Sequence, residues 1–297
     1  MQILYPRQTQ TKNLLVQKNQ QLPMHQKKTI QATRHIDLCL TMFPWAKFRR
    51  TKGAIKLHVG IDHQGFLPMF LTVTDGKKHD VTQARALTLP TGSIVAVDRG
   101  YIDYQWFDQL NRSEIYFVTR AKKNMRYAVR DRKPVVRGQG ISSDQSIVLT
   151  SLRGQSYPKR LRRVGYKDPQ TGKHYFFLTN NYPGTGGNFT LAAKTIADIY
   201  KARWQIELFF KWIKQNLKVK SFLGTSKNAV MTQIWVAMCM YLMLSYLKFS
   251  NRLGWSLQQI LRVLQLNLFE RRPLLALFTT QSQPPDPPML QLRLAGT

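Results

Sequence analysis

Short runs of β-forming residues alternate with helical segments between residues 35 and 121, and their order constrains the fold more than any other feature. Three runs come first, HIDLCLTMF, AIKLHVGID and FLPMFLTVTD, separated by basic or glycine-containing turns. A helical pattern, HDVTQARALTL, follows, with Asp80 placed to cap it. The run GSIVAVD, which ends at Asp98, a short helix near residues 104–110 and the run EIYFVTRA complete the series. This order predicts an α/β fold built on one mixed sheet flanked by helices.

A second β-rich stretch occupies residues 122–189 and predicts an insertion before the next long helix. Its runs are YAVR, SIVLTSL, RLRRVGY and HYFFLTN, and a glycine-rich loop, YPGTGGNFT, closes it. The loop lacks the Gly-Lys-Ser/Thr ending of a phosphate-binding loop, which favours a simple turn. The long helix that follows is expected to run from about residue 195 to 219, with Thr195 and Asp198 as a capping box.

The two ends of the chain differ in composition from the rest. Residues 1–31 contain eight Gln, five Lys or Arg and no acidic residue, and they predict a poorly ordered basic arm. The proline-rich residues 279–297 predict a disordered tail. Between these ends, the sequence predicts a folded core of residues 32–121 and 190–278, interrupted by the insertion.

The charge of the chain narrows the choice of partner. Forty-five Lys and Arg against fifteen Asp and Glu give a net charge of +30 and a pI near 10.5. Such self-repulsion favours a polyanion as partner, and nucleic acid is the leading candidate, although a basic soluble protein without such a partner stays open. The two cysteines lie far apart, which excludes a disulfide framework and indicates a reducing compartment. The apolar run at 234–247 is shorter than the ~20 residues of a membrane span, so we expect a buried helix and no membrane partner.

One basic helix carries a single carboxylate. In IYKARWQIELFFKWIKQNLKVK, residues 199–220, an ideal helical wheel places Arg203, Glu207 and Lys214 within an arc of about 60°. Tyr200 and Lys211 lie beside them, and the apolar and aromatic residues occupy the other side. This face has two interpretations. It is either a solvated surface with an ion pair between Glu207 and Lys211, or a functional surface.

Asp98 favours the functional interpretation. It ends a buried strand, where a carboxylate needs a partner. Carboxylates at strand ends can bind a hard cation such as Mg²⁺, and a pair of such ions can stabilise an in-line phosphoryl transfer. Basic side chains on a nearby helix would then hold the phosphates of a nucleic acid. The alternative for Asp98 is a capping role at a turn or helix.

These residues resemble a known family. Tyr200, Arg203, Glu207 and Lys214 match the Tyr-x2-Arg-x3-Glu-x6-Lys signature of bacterial insertion-sequence transposases of family four, which are DDE transposases. The blocks IDLCLTMFPWAKFRRTKGAIKLH, TDGKKHDV, DRGYIDY, VTRAKKN, RWQIELFFKWIKQNLKVKSFLGTS and LFERRPLLALF are similar to that family in the same order. The resemblance covers about residues 36–278.

The resemblance implies a ribonuclease H-like catalytic core with a divalent-metal site of three carboxylates that cuts and rejoins DNA strands. Asp98 would be the second Asp and Glu207 the Glu, together holding two ions, Mg²⁺ or Mn²⁺. Tyr200, Arg203 and Lys214 would contact DNA phosphates, with Lys211 beside them. The implied partners are double-stranded DNA, at the ends of the element and at its target, and a second copy of the chain on paired ends. The implied location is the bacterial cytoplasm, with the nucleoid.

The chain departs from the family pattern at the first Asp, whose expected position falls on Ala32. A methyl group cannot bind Mg²⁺. Asp37 lies five residues away, about 17 Å along a strand and on the opposite face, and Asp62 is an equally poor substitute. The arm also stands where family members usually carry a larger helical region. We therefore expect a truncated or disrupted copy that is inactive; the alternatives are a nuclease on the same core and a non-catalytic DNA-binding protein or inhibitor derived from a transposase.

Overall fold

The computed structural model describes residues 28–50, 52–62, 67–77, 79–136, 138–182, 190–217 and 222–279. The predicted arm up to residue 27 and the predicted tail from residue 280 lie outside these residues. The strands are β1 (Lys28–Leu38), β2 (Lys47–Arg49), β3 (Lys52–Asp62), β4 (Pro68–Asp75), β5 (Ile94–Val97), β6 (Tyr116–Arg120), β7 (Tyr127–Lys133), β8 (Ile141–Leu149), β9 (Leu161–Lys167) and β10 (His174–Thr179). The helices are α1 (Asp80–Arg85), α2 (Tyr104–Arg112), α3 (Ala193–Ala202), α4 (Trp204–Asn216), α5 (Lys227–Ser250), α6 (Leu257–Leu266) and α7 (Ala276–Thr279).

The sheet is mixed, as the sequence predicts, and its first half has a ribonuclease H-like order. Strands lie side by side as β4-β3-β1-β5-β6. β1 is antiparallel to β3 and parallel to β5, and β5 is parallel to β6. β2 pairs only with the first residues of β3, and β4 pairs with the later residues of β3. The two strands therefore form the same edge of the sheet. The parallel strands β1, β5 and β6 therefore run toward one end of the sheet.

The strands of residues 122–189 continue this same sheet. β10 pairs antiparallel with β6, and β9, β8 and β7 follow in antiparallel order. The stretch therefore adds four strands beyond β6. The division of the chain into a core and an insertion domain stays a prediction, because continuity of a sheet does not define a domain boundary.

Helices cover both faces of the sheet. On one face, α3 packs on β5 and β6 in a cluster that includes Ile196 and Ala96. On the same face, α4 packs on β1 and β3 in a cluster that includes Ile206 and Phe209. On the other face, α2 packs on β5 and β6 through residues such as Phe107. α3 and α4 thus meet above the junction between β5 and β1.

The start of the first strand differs from the prediction. β1 begins at Lys28, so residues 28–31 belong to the sheet and not to the arm. Thr29 and Gln31 are polar yet only 2% and 1% exposed, because β3 and β5 flank β1 on both sides. Polar residues at buried strand positions removed the apolar alternation that would have indicated a strand.

Two predicted helix caps are wrong. Asp80 is the first residue of α1 rather than its cap, and it accepts a hydrogen bond from Lys56 Nζ at 3.0 Å. Thr195 and Asp198 lie inside α3, whose N-cap is Ala192 without a side-chain hydrogen bond.

The helix expected to be continuous to residue 219 is also interrupted. α3 ends at Ala202, and α4 starts at Trp204 after a turn at Arg203. The backbone at Arg203 stays in the right-handed helical region, so the interruption is short. The wheel nevertheless separates the two faces correctly, because Ile206 and Phe210 are buried while Lys211 is exposed.

α5 is longer than the apolar run suggested. It spans 24 residues, and by length and hydropathy it could cross a membrane, so the argument from a short apolar run does not hold. Ile234 and Tyr241 pack in the same core cluster as α4, whereas Met243, Tyr246 and Phe249 are 67% to 75% exposed. One side of the helix is thus part of the core of the fold. The absence of a membrane partner stays a prediction.

Candidate functional site

Three residues lie level with one another at the end of the sheet toward which the parallel strands run. Gln31 pairs with Val97, and Val97 pairs with Thr119. The next position on each strand therefore places Ala32, Asp98 and Arg120 in a row. Because side chains alternate along a strand, all three lie on the face that α3 and α4 cover. This row is the floor of the candidate site.

Asp98 is half-buried and caps the turn that follows β5. Its Oδ1 accepts a hydrogen bond from the backbone N–H of Arg99 at 2.7 Å, at the start of a 3₁₀ turn formed by residues 99–101. The capping role that the sequence left open for this residue is therefore confirmed. The cap uses one carboxylate oxygen, and a carboxylate has a second oxygen that can bind a ligand.

The turn between α3 and α4 brings Tyr200, Arg203 and Glu207 together above this row. Arg203 Nη1 lies 3.3 Å from Glu207 Oε1, and the Arg203 guanidinium carbon lies 5.6 Å from the centre of the Tyr200 ring. Burial raises the pKa of the Tyr200 hydroxyl, and the nearby Asp98 carboxylate raises it further, whereas Arg203 and Arg120 oppose the shift. Tyr200 therefore lies within electrostatic reach of Asp98 as well as of Arg203.

The Arg203 side chain has an N–H group that donates no hydrogen bond to the described residues. Its side chain is 14% exposed, and its buried Nε makes no hydrogen bond within the part of the chain that the structure describes. A buried guanidinium N–H without a partner is costly, and a phosphate oxygen would satisfy it. Lys211 and Lys214 lie one and two turns beyond Glu207 on α4; Lys211 is exposed and Lys214 is half-buried.

Ala32 lies beside Asp98, at the position where the family resemblance implies a third carboxylate. It is 3% exposed and packs in the cluster that contains Ile206 of α4. Asp37 and Asp62 do not replace it. Asp37 lies an odd number of positions from Ala32 on β1, and Asp62 pairs with Thr29, so both side chains lie on the opposite face.

The residues present do not fit the three-carboxylate metal site that the resemblance implies. Asp98 and Glu207 supply carboxylate oxygens, and Ala32 supplies none. Over the described ranges, no three His, Cys, Asp or Glu side chains cluster closely enough to hold a metal ion. The disagreement lies in the ligand set itself, because hard cations need several oxygen ligands.

Arg120 is a site residue that reasoning from the sequence missed. Its guanidinium carbon lies 4.6 Å from the centre of the Tyr175 ring on β10, and its charge reaches Tyr200. The strand that carries Arg120 was predicted, but its partner Tyr175 comes from a strand much later in the chain. The block VTRAKKN could have indicated this residue. Arg120 is the last residue of β6, which is parallel to β5, and Asp98 follows β5.

A series of buried polar side chains, joined by hydrogen-bond contacts, lies on the face of the sheet opposite the site. The Thr33 hydroxyl contacts the Tyr101 hydroxyl and lies 2.8 Å from His58 Nδ1, and His58 Nε2 lies 2.8 Å from the Thr74 hydroxyl. His58 is fully buried and Tyr101 is 2% exposed. Tyr101 is the last residue of the 3₁₀ turn that Asp98 caps. These contacts therefore anchor that turn to β1, β3 and β4.

Comparisons with known proteins show to which family the chain belongs. A family model described as the transposase DDE domain matches residues 27–243. A protein of Sinorhizobium fredii named as a transposase is 35% identical over 237 residues, which cover 78% of this chain and 64% of that protein. A protein of Geobacillus stearothermophilus named as the transposase of an insertion sequence is 31% identical, over 69% of this chain and 52% of that protein.

A third relative, from Synechocystis and also named as an insertion-sequence transposase, is 26% identical over 73% of this chain and 60% of its own length. The chain thus spans from about half to just under two thirds of the length of these relatives. Among solved structures, a piggyBac transposase synaptic complex with hairpin DNA aligns at 11% identity and a TM-score of 0.48, over 81% of this chain and 52% of that one. The family model alone covers well over half of the sequence. The chain therefore belongs to the family of DDE transposases.

Proposed function

We propose that this chain binds double-stranded DNA through a transposase-type core and that its capacity to cut DNA is severely reduced. Tyr200, Arg203, Lys211 and Lys214 would hold DNA phosphates above the end of the sheet at which Asp98 lies. The alanine beside Asp98 would deprive the site of one metal ligand. The observation that carries the proposal is the burial of this alanine, Ala32, on the same face as Asp98 and α4.

The chemistry of the binding groups supports DNA as the ligand. Arg203 offers a buried Nε that has no described partner, beside its pairing with Glu207. A guanidinium recognises a phosphate through two parallel hydrogen bonds, and the net charge of +30 gives a sequence-independent attraction to the DNA backbone. Glu207 would orient Arg203 in the absence of DNA and would share the guanidinium with a phosphate on binding.

Fluorescence anisotropy with a labelled duplex tests the binding. The affinity of the purified chain should fall steeply as salt is raised, because each phosphate contact releases counterions. Arg203→Gln should weaken binding about tenfold. A matched control is Arg153→Gln, an exposed arginine of the 3₁₀ turn at Leu152–Ser156. Equal effects of the two substitutions would place the DNA elsewhere.

A second candidate function is strand cleavage and transfer itself, favoured by membership in a family whose members use divalent metal ions. Asp98 and Glu207 would then be the metal ligands, with Mg²⁺ or Mn²⁺ supplying Lewis-acid chemistry. Incubation with supercoiled plasmid and either ion distinguishes the two candidates. Nicking that requires the ion and disappears in Glu207→Gln would overturn the proposal of a severely weakened site. Joining of a 3′-hydroxyl end would separate a transposase from a nuclease.

We further propose that the chain acts in the bacterial cytoplasm, on nucleoid DNA, as a dimer on paired DNA ends and without a membrane partner. Its bacterial relatives named as transposases support this location. Light scattering with and without duplex DNA measures the oligomeric state. A complex with a single copy of the chain on paired ends, or recovery of the chain with membranes, would contradict this part of the proposal.

A further inference from the structure

The hairpin formed by β2 and β3 is strongly basic. Four exposed basic side chains lie close together in its sequence, those of Lys47, Arg49, Arg50 and Lys52. The sequence contains no acidic residue between Asp37 and Asp62. No acidic residue close in the sequence therefore offsets these four charges. We call the hairpin that carries these four residues the basic hairpin.

Ion pairs with acidic side chains do not hold the basic hairpin either, among the residues that the structure describes. None of its four charges forms an ion pair with a described Asp or Glu. The guanidinium carbon of Arg49 lies 5.2 Å from the centre of the Phe48 ring, and that ring packs directly against Gly76. Phe48 thus anchors the hairpin to the sheet while the cationic groups face solvent, an arrangement that leaves their charge available to a partner.

The hairpin lies at the same end of the sheet as the candidate site. Leu38, the last residue of β1, pairs with Gly53 next to the hairpin, and it lies six residues beyond Ala32. At the rise of a β-strand this separation is about 20 Å. Because β1 and β5 are parallel, the hairpin extends past the end of β5 and Asp98.

The base of the hairpin is also fastened to the segment between α4 and α5. Trp45 Nε1 donates a hydrogen bond to the Thr225 carbonyl at 2.8 Å, and the ring centres of Phe43 and Phe222 lie 6.0 Å apart. Thr225 and Phe222 belong to the segment between α4 and α5. α4 has 13 residues, which makes it about 20 Å long, and Glu207 lies in its first turn. The base of the basic hairpin is thus held by residues that follow, along the chain, the helix that carries Arg203 and Glu207.

We propose that the basic hairpin binds the backbone of duplex DNA about 20 Å from the site, so that one duplex contacts the Arg203 end of α4 and the hairpin together. At the rise of B-form DNA this distance corresponds to about six base pairs. The inference rests on the proposed function and extends it, because a second contact fixes the direction of the duplex relative to the site. Backbone contacts need no particular base, so binding at the hairpin is independent of DNA sequence.

Paired substitutions test the contact. Arg49→Gln/Arg50→Gln removes two charges from the hairpin, and Arg153→Gln/Lys159→Gln removes two exposed charges shortly before β9, toward the opposite side of the sheet. The two variants have equal total charge, so a general loss of attraction affects both. The hairpin variant should bind a labelled duplex at least about tenfold more weakly at moderate salt, and its salt slope should fall by about two.

A charge-preserving variant separates loss of charge from loss of packing on Phe48. Arg49→Lys/Arg50→Lys should restore most of the affinity. Hydroxyl-radical footprinting gives a second measurement, in which the segment protected by the unsubstituted chain should lose about six base pairs at one end in the hairpin variant.

The outcomes distinguish this inference from the function on which it rests. If the unsubstituted chain binds duplex DNA and the two glutamine double variants bind equally well, the inference is wrong and the proposed function stands. If the unsubstituted chain does not bind duplex DNA at all, the proposed function fails and the inference fails with it.

Discussion

At the scale of single residues, the proposed loss of DNA cleavage depends on Ala32. Ala32→Asp should place a carboxylate beside Asp98 at a position that is 3% exposed. Without metal, a buried carboxylate next to a second one should destabilise the fold by about 1 to 3 kcal/mol. Mg²⁺ or Mn²⁺ should reverse this loss, since a ligand that binds only the folded state stabilises it. Thermal unfolding with and without the ion measures both effects.

The matched control for this substitution is Ala32→Asn, which has nearly the same size as the aspartate variant but no charge. Its unfolding temperature should respond little to divalent ions. Equal stabilisation by metal in Ala32→Asp, Ala32→Asn and the unsubstituted chain would show that position 32 is not part of a metal site.

Tyr101 is the second residue with a specific consequence. Tyr101→Phe removes the contact with the Thr33 hydroxyl and should cost about 1 kcal/mol of unfolding free energy. The loss should concentrate in the 3₁₀ turn after Asp98, where the Tyr101 N–H donates to the Asp98 carbonyl. Hydrogen exchange read by mass spectrometry should therefore show a larger acceleration in this turn than in β5. Uniform acceleration across the sheet would indicate a general packing defect instead.

Burial of two tyrosines predicts how stability depends on pH. Desolvation raises the pKa of Tyr101 and of Tyr157 well above that of a free tyrosine. The folded state therefore keeps these protons at a pH where the unfolded chain has released them. Their contribution to stability should be complete below pH ~10 and should be lost progressively above it. Tyr157→Phe should flatten this alkaline decline in urea unfolding, and an unchanged decline would contradict the assignment.

At the scale of elements, a buried ion pair ties the later strands to the start of α3. Arg162 of β9 donates hydrogen bonds to both carboxylate oxygens of Asp144 on β8, at 2.8 and 2.7 Å, and another to the Leu191 carbonyl at 2.6 Å. Arg162→Leu leaves Asp144 buried without this partner and should cost about 3 to 5 kcal/mol. Arg162→Leu/Asp144→Leu should recover most of that loss. Urea unfolding of both variants tests the pair, and equal destabilisation would assign the effect to packing alone.

The elements of the core could be predicted because their apolar runs are bounded by clear turns. GSIVAVD corresponds to β5, and HDVTQARALTL and residues 104–110 correspond to α1 and α2. The start of β1 could not be predicted, since Thr29 and Gln31 gain their buried positions only by pairing with distant strands. The attachment of β10 to β6 was hidden for the same reason, because Phe177 pairs with Arg120 across most of the insertion.

The candidate site was only partly visible in the sequence. A helical wheel groups Arg203 and Glu207, and the structure joins them as an ion pair. The wheel cannot show which strand lies beneath the helix. The row of Ala32, Asp98 and Arg120 could be identified only from the pairing of the strands. Local patterns report the face of an element, and only the tertiary fold reports what that face meets.

At the scale of the whole molecule, charge should limit stability. A chain with a net charge of +30 repels itself more when compact than when unfolded. The unfolding temperature should therefore rise as NaCl is increased from low ionic strength, because salt screens this repulsion. Duplex DNA should raise it further at low salt, by binding the folded state. Differential scanning fluorimetry across a salt series measures both effects, and a temperature that falls with NaCl would contradict the argument.

The burial of a methyl group beside Asp98 also has a genetic consequence. Every alanine codon becomes an aspartate or glutamate codon by one change at its second base. The fold around position 32 is already built, with β3 and β5 paired on either side of β1. A gene that encodes this chain is therefore a single base substitution away from encoding a carboxylate at position 32, on a backbone that already holds the position beside Asp98.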